Sequence, residues 1–107
     1  LKDIFRKKED IVITGEYIKE VTAKYFNITV EDMNSKKRTR SISLPRQVAM
    51  YITREITDLS LPRIGEEFGG RDHSTVIHAC QKIAEEMDTN TDFKNLILRI
   101  EREINGN

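Results

Sequence analysis

Gly69-Gly70, followed at once by Arg71-Asp72-His73-Ser74-Thr75-Val76, constrains this chain more than any other stretch, because helical patterns stand on both sides of it. Two consecutive glycines supply the positive φ that stops one helix and turns the chain into the next. Asp72 is a good N-cap, and His73, Ser74 and Thr75 then fill the first turn before the apolar run Val76, Ile77, Cys80, Ile83. Upstream, Ser60-Leu61-Pro62 reads as a helix start with Ser60 as cap and Pro62 just inside. That helix is short, with Ile64 and Phe68 inward and Gly69 at the C′ position. Gly65 lies on the neighbouring face, where the lack of a side chain lets another helix approach. A short helix, a glycine turn and a longer helix from His73 to about Met87 form a helix-turn-helix pattern. Many αα-hairpins share it. The polar tip it presents suits three tasks: binding a phosphate, reading a base edge, or capping itself.

The remaining pattern is also helical. Leu1, Ile4 and Phe5 fit one short apolar stripe in a charge-rich segment, read as a linker helix. Thr14 caps a helix to about Phe26 that places Tyr17, Ile18, Val21 and Tyr25 inward, and Thr29-Val30-Glu31-Asp32 carries the capping-box signature of a brief helix ending near Asn34. Ser35 to Ser41 has no periodicity and reads as a basic loop. A helix is then expected from Leu44-Pro45 to about Thr57, with Val48, Ala49, Ile52 and Ile56 inward and with Arg46 and Gln47 in its first turn. On the longer helix after the glycines, Val76, Ile77, Cys80, Ile83, Ala84 and Met87 are expected inside. After a loop at Asp88-Thr91, Phe93, Leu96, Ile97, Ile100 and Ile104 mark a closing amphipathic helix. No β-alternation interrupts this, so the expected fold is all-α, a bundle of about six helices counting the linker.

Length and charge narrow the classes. A chain of 107 residues suits one core. Its single cysteine, Cys80, excludes an intrachain disulfide, leaves no thiolate partner for a zinc site with the two histidines, and suits a reducing cytoplasmic setting. There is no apolar run of membrane-spanning length. Beginning on Leu1 rather than Met, the chain reads as a piece of something larger. The net charge of zero hides an uneven distribution: six basic residues and no acid lie between Met33 and Arg54, whereas six acids face four bases from Gln81 onward.

Catalysis is not expected. Asp72, His73 and Ser74 name a triad, but consecutive helical residues point about 100° apart and cannot form the linear relay. Gly69-Gly70 lacks the Lys-Ser/Thr of a nucleotide loop, and His73 and His78 diverge around the helix, a poor metal pair. Nucleic-acid binding explains more. At the tip, Asp72 suits a cytosine or adenine amino group, or its own cap, and both roles can hold together. His73, Ser74 and Thr75 suit base edges. Arg38 and its neighbours form a basic loop of the kind that enters an A/T-rich minor groove, and Arg46, Gln47, Arg54 and Lys82 suit phosphates. For each cation taken singly, an ordinary exposed side chain is an even alternative.

The run Phe68-Gly69-Gly70-Arg71-Asp72-His73-Ser74-Thr75-Val76, with Leu61-Pro62-Arg63-Ile64-Gly65, Lys36 to Ser41 and Pro45-Arg46-Gln47, resembles the C-terminal DNA-binding domain of the bacterial replication initiator DnaA family. The likeness spans roughly residues 14 to 105. It implies a compact Trp-repressor-like helix-turn-helix domain over residues 14–107, with residues 1–13 as the end of a linker helix from an upstream ATPase domain. It implies sequence-specific binding of double-stranded DNA at the DnaA boxes of a replication origin, and action at promoters, by a nucleoid-associated module that is monomeric when isolated. Carried onto this chain, Arg38 reads the minor groove, and Asp72, His73 and Ser74 read bases in the major groove. Leu61 and Pro62 touch thymine methyls, and Arg46, Gln47, Arg54, Thr75, His78 and Lys82 hold phosphates. Ser74 stands where many members have Thr, and Arg54 where some have Lys. The likeness implies no cofactor in this fragment, ATP and Mg belonging to the upstream domain. It also implies regulatory proteins as partners. A weak contact of the linker helix with acidic phospholipid is a further expectation.

Overall fold

Four of the helix starts are written locally and form as the sequence requires. The computed structural model describes residues 12–106. Thr14 Oγ1 accepts from Tyr17 N at 3.1 Å to begin α1 (Gly15–Phe26), which stops at Asn27 in the left-handed region, φ 59°. Thr29 and Asp32 form the reciprocal capping box of α2 (Val30–Asn34). Ser60 caps α4 (Leu61–Glu67) through Arg63 N, and Asp72 caps α5 (His73–Thr89). The linker expected over residues 1–13, and with it the apolar stripe of Leu1, Ile4 and Phe5 proposed to meet phospholipid, falls outside the described residues except for Val12 and Ile13, which are not helical.

The helix expected to start at Leu44-Pro45 begins four residues earlier, as α3 (Arg40–Ile56), so that Arg46 and Gln47 lie beyond its first turn. Ile42 is the cause: it is buried and extends the inward stripe back beyond the proline. Pro45 has no N–H to offer the carbonyl of Ser41, and Ser41 is an exposed residue, where such a missing bond is tolerated. The loop expected at 88–91 contracts to one residue. Asn90 ends α5 by donating its N–H to Glu86 O at 2.9 Å and caps α6 (Thr91–Asn105) by accepting from Phe93 N at 3.0 Å. Among the described residues six helices lie within residues 15–105, and the linker expected before them falls outside.

Two apolar clusters hold the bundle together. One gathers Met33, Met50, Ile64, Phe68, Val76 and Cys80 around the helix-turn-helix, and the other joins Ile18, Val21, Val48, Ile52, Ile83, Ile97, Ile100 and Ile104 at the opposite end. α3 and α5 run through both, which fixes the tip of α5 to a rigid frame. Along α5 the buried stripe is Val76, Ala79, Cys80 and Ile83. Ala79 takes the inward place expected of Ala84, which is exposed, and Ile77 and Met87 are half-buried. Tyr17 and Tyr25 are likewise only half-buried, and Tyr25 donates to Glu103 Oε1 at 2.7 Å.

Lys19, on the buried side of α1, is only 2% exposed, an uncommon place for a lysine. Its ammonium donates to Asn34 Oδ1 at 3.1 Å and to the carbonyl of Glu67, and lies 5.2 Å from the centre of the Phe68 ring. One cation thus ties α1 to the ends of α2 and α4, with its charge met by oxygen atoms and an aromatic face.

Candidate nucleic-acid interface

The turn between α4 and α5 closes on one carbonyl. Gly65 O accepts from Phe68 N, Gly70 N and Arg71 N at 3.2, 3.1 and 2.9 Å, and Gly69 and Gly70 both have positive φ, 88° and 80°. Gly65 itself is indispensable: a Cβ there would sit 1.9 Å from Arg71 O. What approaches its bare face is therefore the carbonyl of its own turn, not another helix as the sequence suggested. α2 also presses on this turn, since a Cβ on Gly69 would lie 2.5 Å from Asn34 O.

The tip beyond the turn is exposed and internally bonded. Asp72 Oδ1 accepts from Thr75 N at 3.0 Å, Thr75 Oγ1 at 2.8 Å and Ser74 Oγ at 3.2 Å. These bonds, the backbone one foremost, hold the Asp72 carboxyl below its ordinary pKa, so it is anionic at neutral pH. Ser74 reaches Asp72 directly, with no imidazole between them, so Asp72, Ser74 and Thr75 form a cap and not the linear relay of a triad. Asp72, His73, Ser74 and Thr75 are all open to solvent.

Between this tip and α3 runs a polar groove. One part, about 250 Å³, is bordered by Gln47 and Arg46 from α3 and by Thr75, His78 and Lys82 from α5. A second part, about 500 Å³, continues past Ser43 to Lys36 and Arg38 in the loop. The structure therefore brings together Arg38, Arg46, Gln47, Thr75, His78 and Lys82, which are far apart in the chain. Arg38, His78 and Lys82 are exposed and Gln47 is half-buried. Arg54 does not border the groove. It lies two turns beyond Gln47, on the same side of α3, where its side chain meets Cys80. Leu61 and Pro62 stand apart as well, at the start of α4, with Pro62 exposed and Leu61 partly engaged in the first apolar cluster.

Arg46 differs most from its expected state. It is 6% exposed, and its guanidinium donates to the carbonyls of Met33 (2.8 Å), Ser35 (2.9 Å) and Asp32 (3.3 Å). Instead of standing free for a phosphate, it holds the end of α2 against α3. Burial, then the nearby charge of Arg71, lowers its pKa from the ordinary arginine value. Arg71, to which the sequence reading gave no role, donates to the carbonyls of Phe68 and Ser35. Two guanidiniums thus meet on Ser35 O. Among the described residues neither is in a salt bridge, so the wall of the groove keeps its positive charge. A surface of this kind, concave, cationic and bordered by an exposed helix tip, is suited to a polyanion with readable edges. Two acids stay close to the groove, Asp72 at the tip and Asp32, which pairs with Lys37 at 3.5 Å, whereas Glu101 on α6 borders neither part of it and has its pKa raised by burial and by Glu55.

Residues 15–83 match the family model described as the bacterial dnaA protein helix-turn-helix. A solved structure of a DNA replication initiation factor shares the fold, with a TM-score of 0.74 and 38% identity over 81% of this chain and 26% of that one. The chain spans about a quarter of the length of that relative.

Proposed function

The chain belongs to the bacterial DnaA helix-turn-helix family, and from that premise we propose that it binds double-stranded DNA sequence-specifically, as the DNA-binding module of a replication initiator. The observation that carries the reading is the cationic groove between α3 and α5, which ends at a capped, exposed helix tip. In this reading α5 enters the major groove by its N-terminus, with Asp72 accepting from a base amino group and His73 and Ser74 touching neighbouring edges. Leu61 and Pro62 meet thymine methyls beside it. Arg38 reaches the adjacent minor groove, where a narrow A/T-rich segment favours arginine. Gln47, Thr75, His78, Lys82 and Arg54 hold phosphates, and Arg46 lends its charge from within the wall.

DnaA boxes at an origin are the proposed targets, and boxes at promoters would make the same module a transcription regulator. Assembly on ATP and melting of an origin belong to an upstream domain in this proposal, so the isolated domain binds as a monomer. The test is fluorescence anisotropy with labelled duplexes, an A/T-rich box against a scrambled sequence, across a salt series. A preference of roughly 10³-fold for the box is expected, with affinity for both falling steeply as salt rises. Equal binding of the two duplexes at moderate salt would refute the proposal.

A further inference from the structure

Reading two grooves at once requires a fixed distance between two readers, and the root of one is joined to the turn behind the other at a single carbonyl. The loop that carries Arg38 leaves α2 at Ser35, three residues upstream. The α5 tip leaves the turn at Arg71, one residue before its cap. Ser35 O accepts from the guanidiniums of both Arg46 and Arg71. Arg71 also donates to Phe68 O, at the end of α4, so its single planar fork joins the helix-turn-helix turn to the root of the loop. The contact is close on the backbone side as well: the added Cβ on Gly69 that would strike Asn34 O would also lie 2.9 Å from Arg71 Nη1. Beyond Ser35 the loop side chains are exposed, and Arg38 is within about 10 Å of chain from the joint.

We propose that Arg71 is a positioning residue: by holding the Ser35 carbonyl to the helix-turn-helix turn, it sets the reach of Arg38 into the minor groove relative to the α5 tip in the major groove. The inference rests on the duplex-binding reading above and adds a division of labour within it. Arg71 need touch no base. Lysine in its place keeps the charge but loses the planar two-sided fork, so it cannot hold Phe68 O and Ser35 O in the same way.

The test uses three duplexes: a full box, a box with its minor-groove A/T segment changed to G/C, and a box altered only where the α5 tip reads. Binding to each is measured for the wild type, Arg71→Lys, Arg38→Ala and the double variant, with thermal melting to check the fold. In the wild type both altered duplexes bind more weakly, each by about tenfold or more. Arg71→Lys is expected to lose the minor-groove discrimination and keep the major-groove discrimination, and adding Arg38→Ala to it should change nothing further. A second variant leaves Arg71 intact: two glycines inserted between Lys37 and Arg38 lengthen the exposed tether beyond the bonds of Lys37 to Ser35 and Asp32. It should lose the same discrimination with the same melting temperature, and if Arg71→Lys does not fold, Arg71→Gln, which keeps a planar donor without the two-sided fork, takes its place. Full minor-groove discrimination in either folded variant would overturn the inference, and so would loss of both discriminations in a folded Arg71→Lys. A wild type that distinguishes none of the duplexes would instead refute the duplex-binding reading itself.

Discussion

Two helix starts border the same groove, Ser43 of α3 and Thr75 of α5 both lining it, and they are finished to different degrees. α5 begins on Asp72, whose carboxylate accepts the backbone N–H and hydroxyl of Thr75 and the hydroxyl of Ser74. α3 begins on Thr39 with no side-chain cap bond, no acidic residue in its first turn, and Arg40 at its first position. A cation at the positive end of a helix is electrostatically unfavourable until an anion joins it. The difference separates two tasks. The α5 start carries its own side-chain cap and presents edges in a set geometry, whereas the α3 start has no such acceptor, which in the proposed reading a phosphate would supply.

The comparison can be broken most severely at Gly65. Gly65→Ala places a Cβ against Arg71 O and should cost about 3 kcal/mol or more in urea denaturation, because the turn that delivers α5 cannot close around it. A loss under about 1 kcal/mol would mean that the turn opens easily and that the α5 start is less fixed than described. Next comes Arg46→Ala, which takes one donor from each of three carbonyls at the end of α2, leaving Met33 O without this partner while Ser35 O keeps Arg71 and Asp32 O keeps Ser35, and should destabilise the domain by about 1–3 kcal/mol. An unchanged urea midpoint would show that this arginine is spare and free for a ligand.

Smaller changes act on the two starts themselves. Thr39→Asp gives α3 the cap and the negative charge it lacks, so the free domain should gain about 0.5–1 kcal/mol while duplex affinity falls several-fold through phosphate repulsion. The two opposite signs, read by melting and by anisotropy, are the signature of an unfinished start. Tighter binding in that variant would reverse the assignment. The smallest effect is acid sensitivity. Since the folded pKa of Asp72 is depressed, its contribution is held in full above the ordinary carboxylate pKa and is gone once the pH has fallen through the folded one. Asp72→Asn should therefore melt with a flatter pH profile than the wild type below pH about 4. Parallel profiles would contradict the cap as a charged one.

Much of this could be read in advance because caps are local. Thr14, Thr29 with Asp32, Ser60 and Asp72 each speak to a backbone N–H three residues away, and all four helices start where those residues put them. α3 starts four residues before the place its sequence suggests because Pro45 imitates a first-turn proline, while the burial of Ile42 that lengthens the helix depends on the rest of the fold. The groove is legible in the sequence as a set of polar residues, but the work of Arg46 and Arg71 is not. Their acceptors are backbone carbonyls, and Ser35 is 36 residues from Arg71. A carbonyl leaves no mark in a sequence. For Arg46 the one hint is negative, the lack of any acidic residue between Asp32 and Glu55; Arg71, next to Asp72 in the chain, carries none.

Asn90 has a consequence for how such a chain can vary. It ends one helix of 17 residues and begins another of 15, with an ordinary extended backbone, φ −134° and ψ 99°. Any side chain tolerates that conformation, so the corner asks only for a capping oxygen, which serine, threonine or aspartate can supply. Length is another matter. With no slack on either side, one added residue would turn Ile97, Ile100 and Ile104 about 100° away from the core they fill. This corner is therefore permissive to substitution and closed to insertion. The glycine turn at the other end of α5 is closed to substitution at Gly65, so the helix between them inherits its register from one end and its direction from the other.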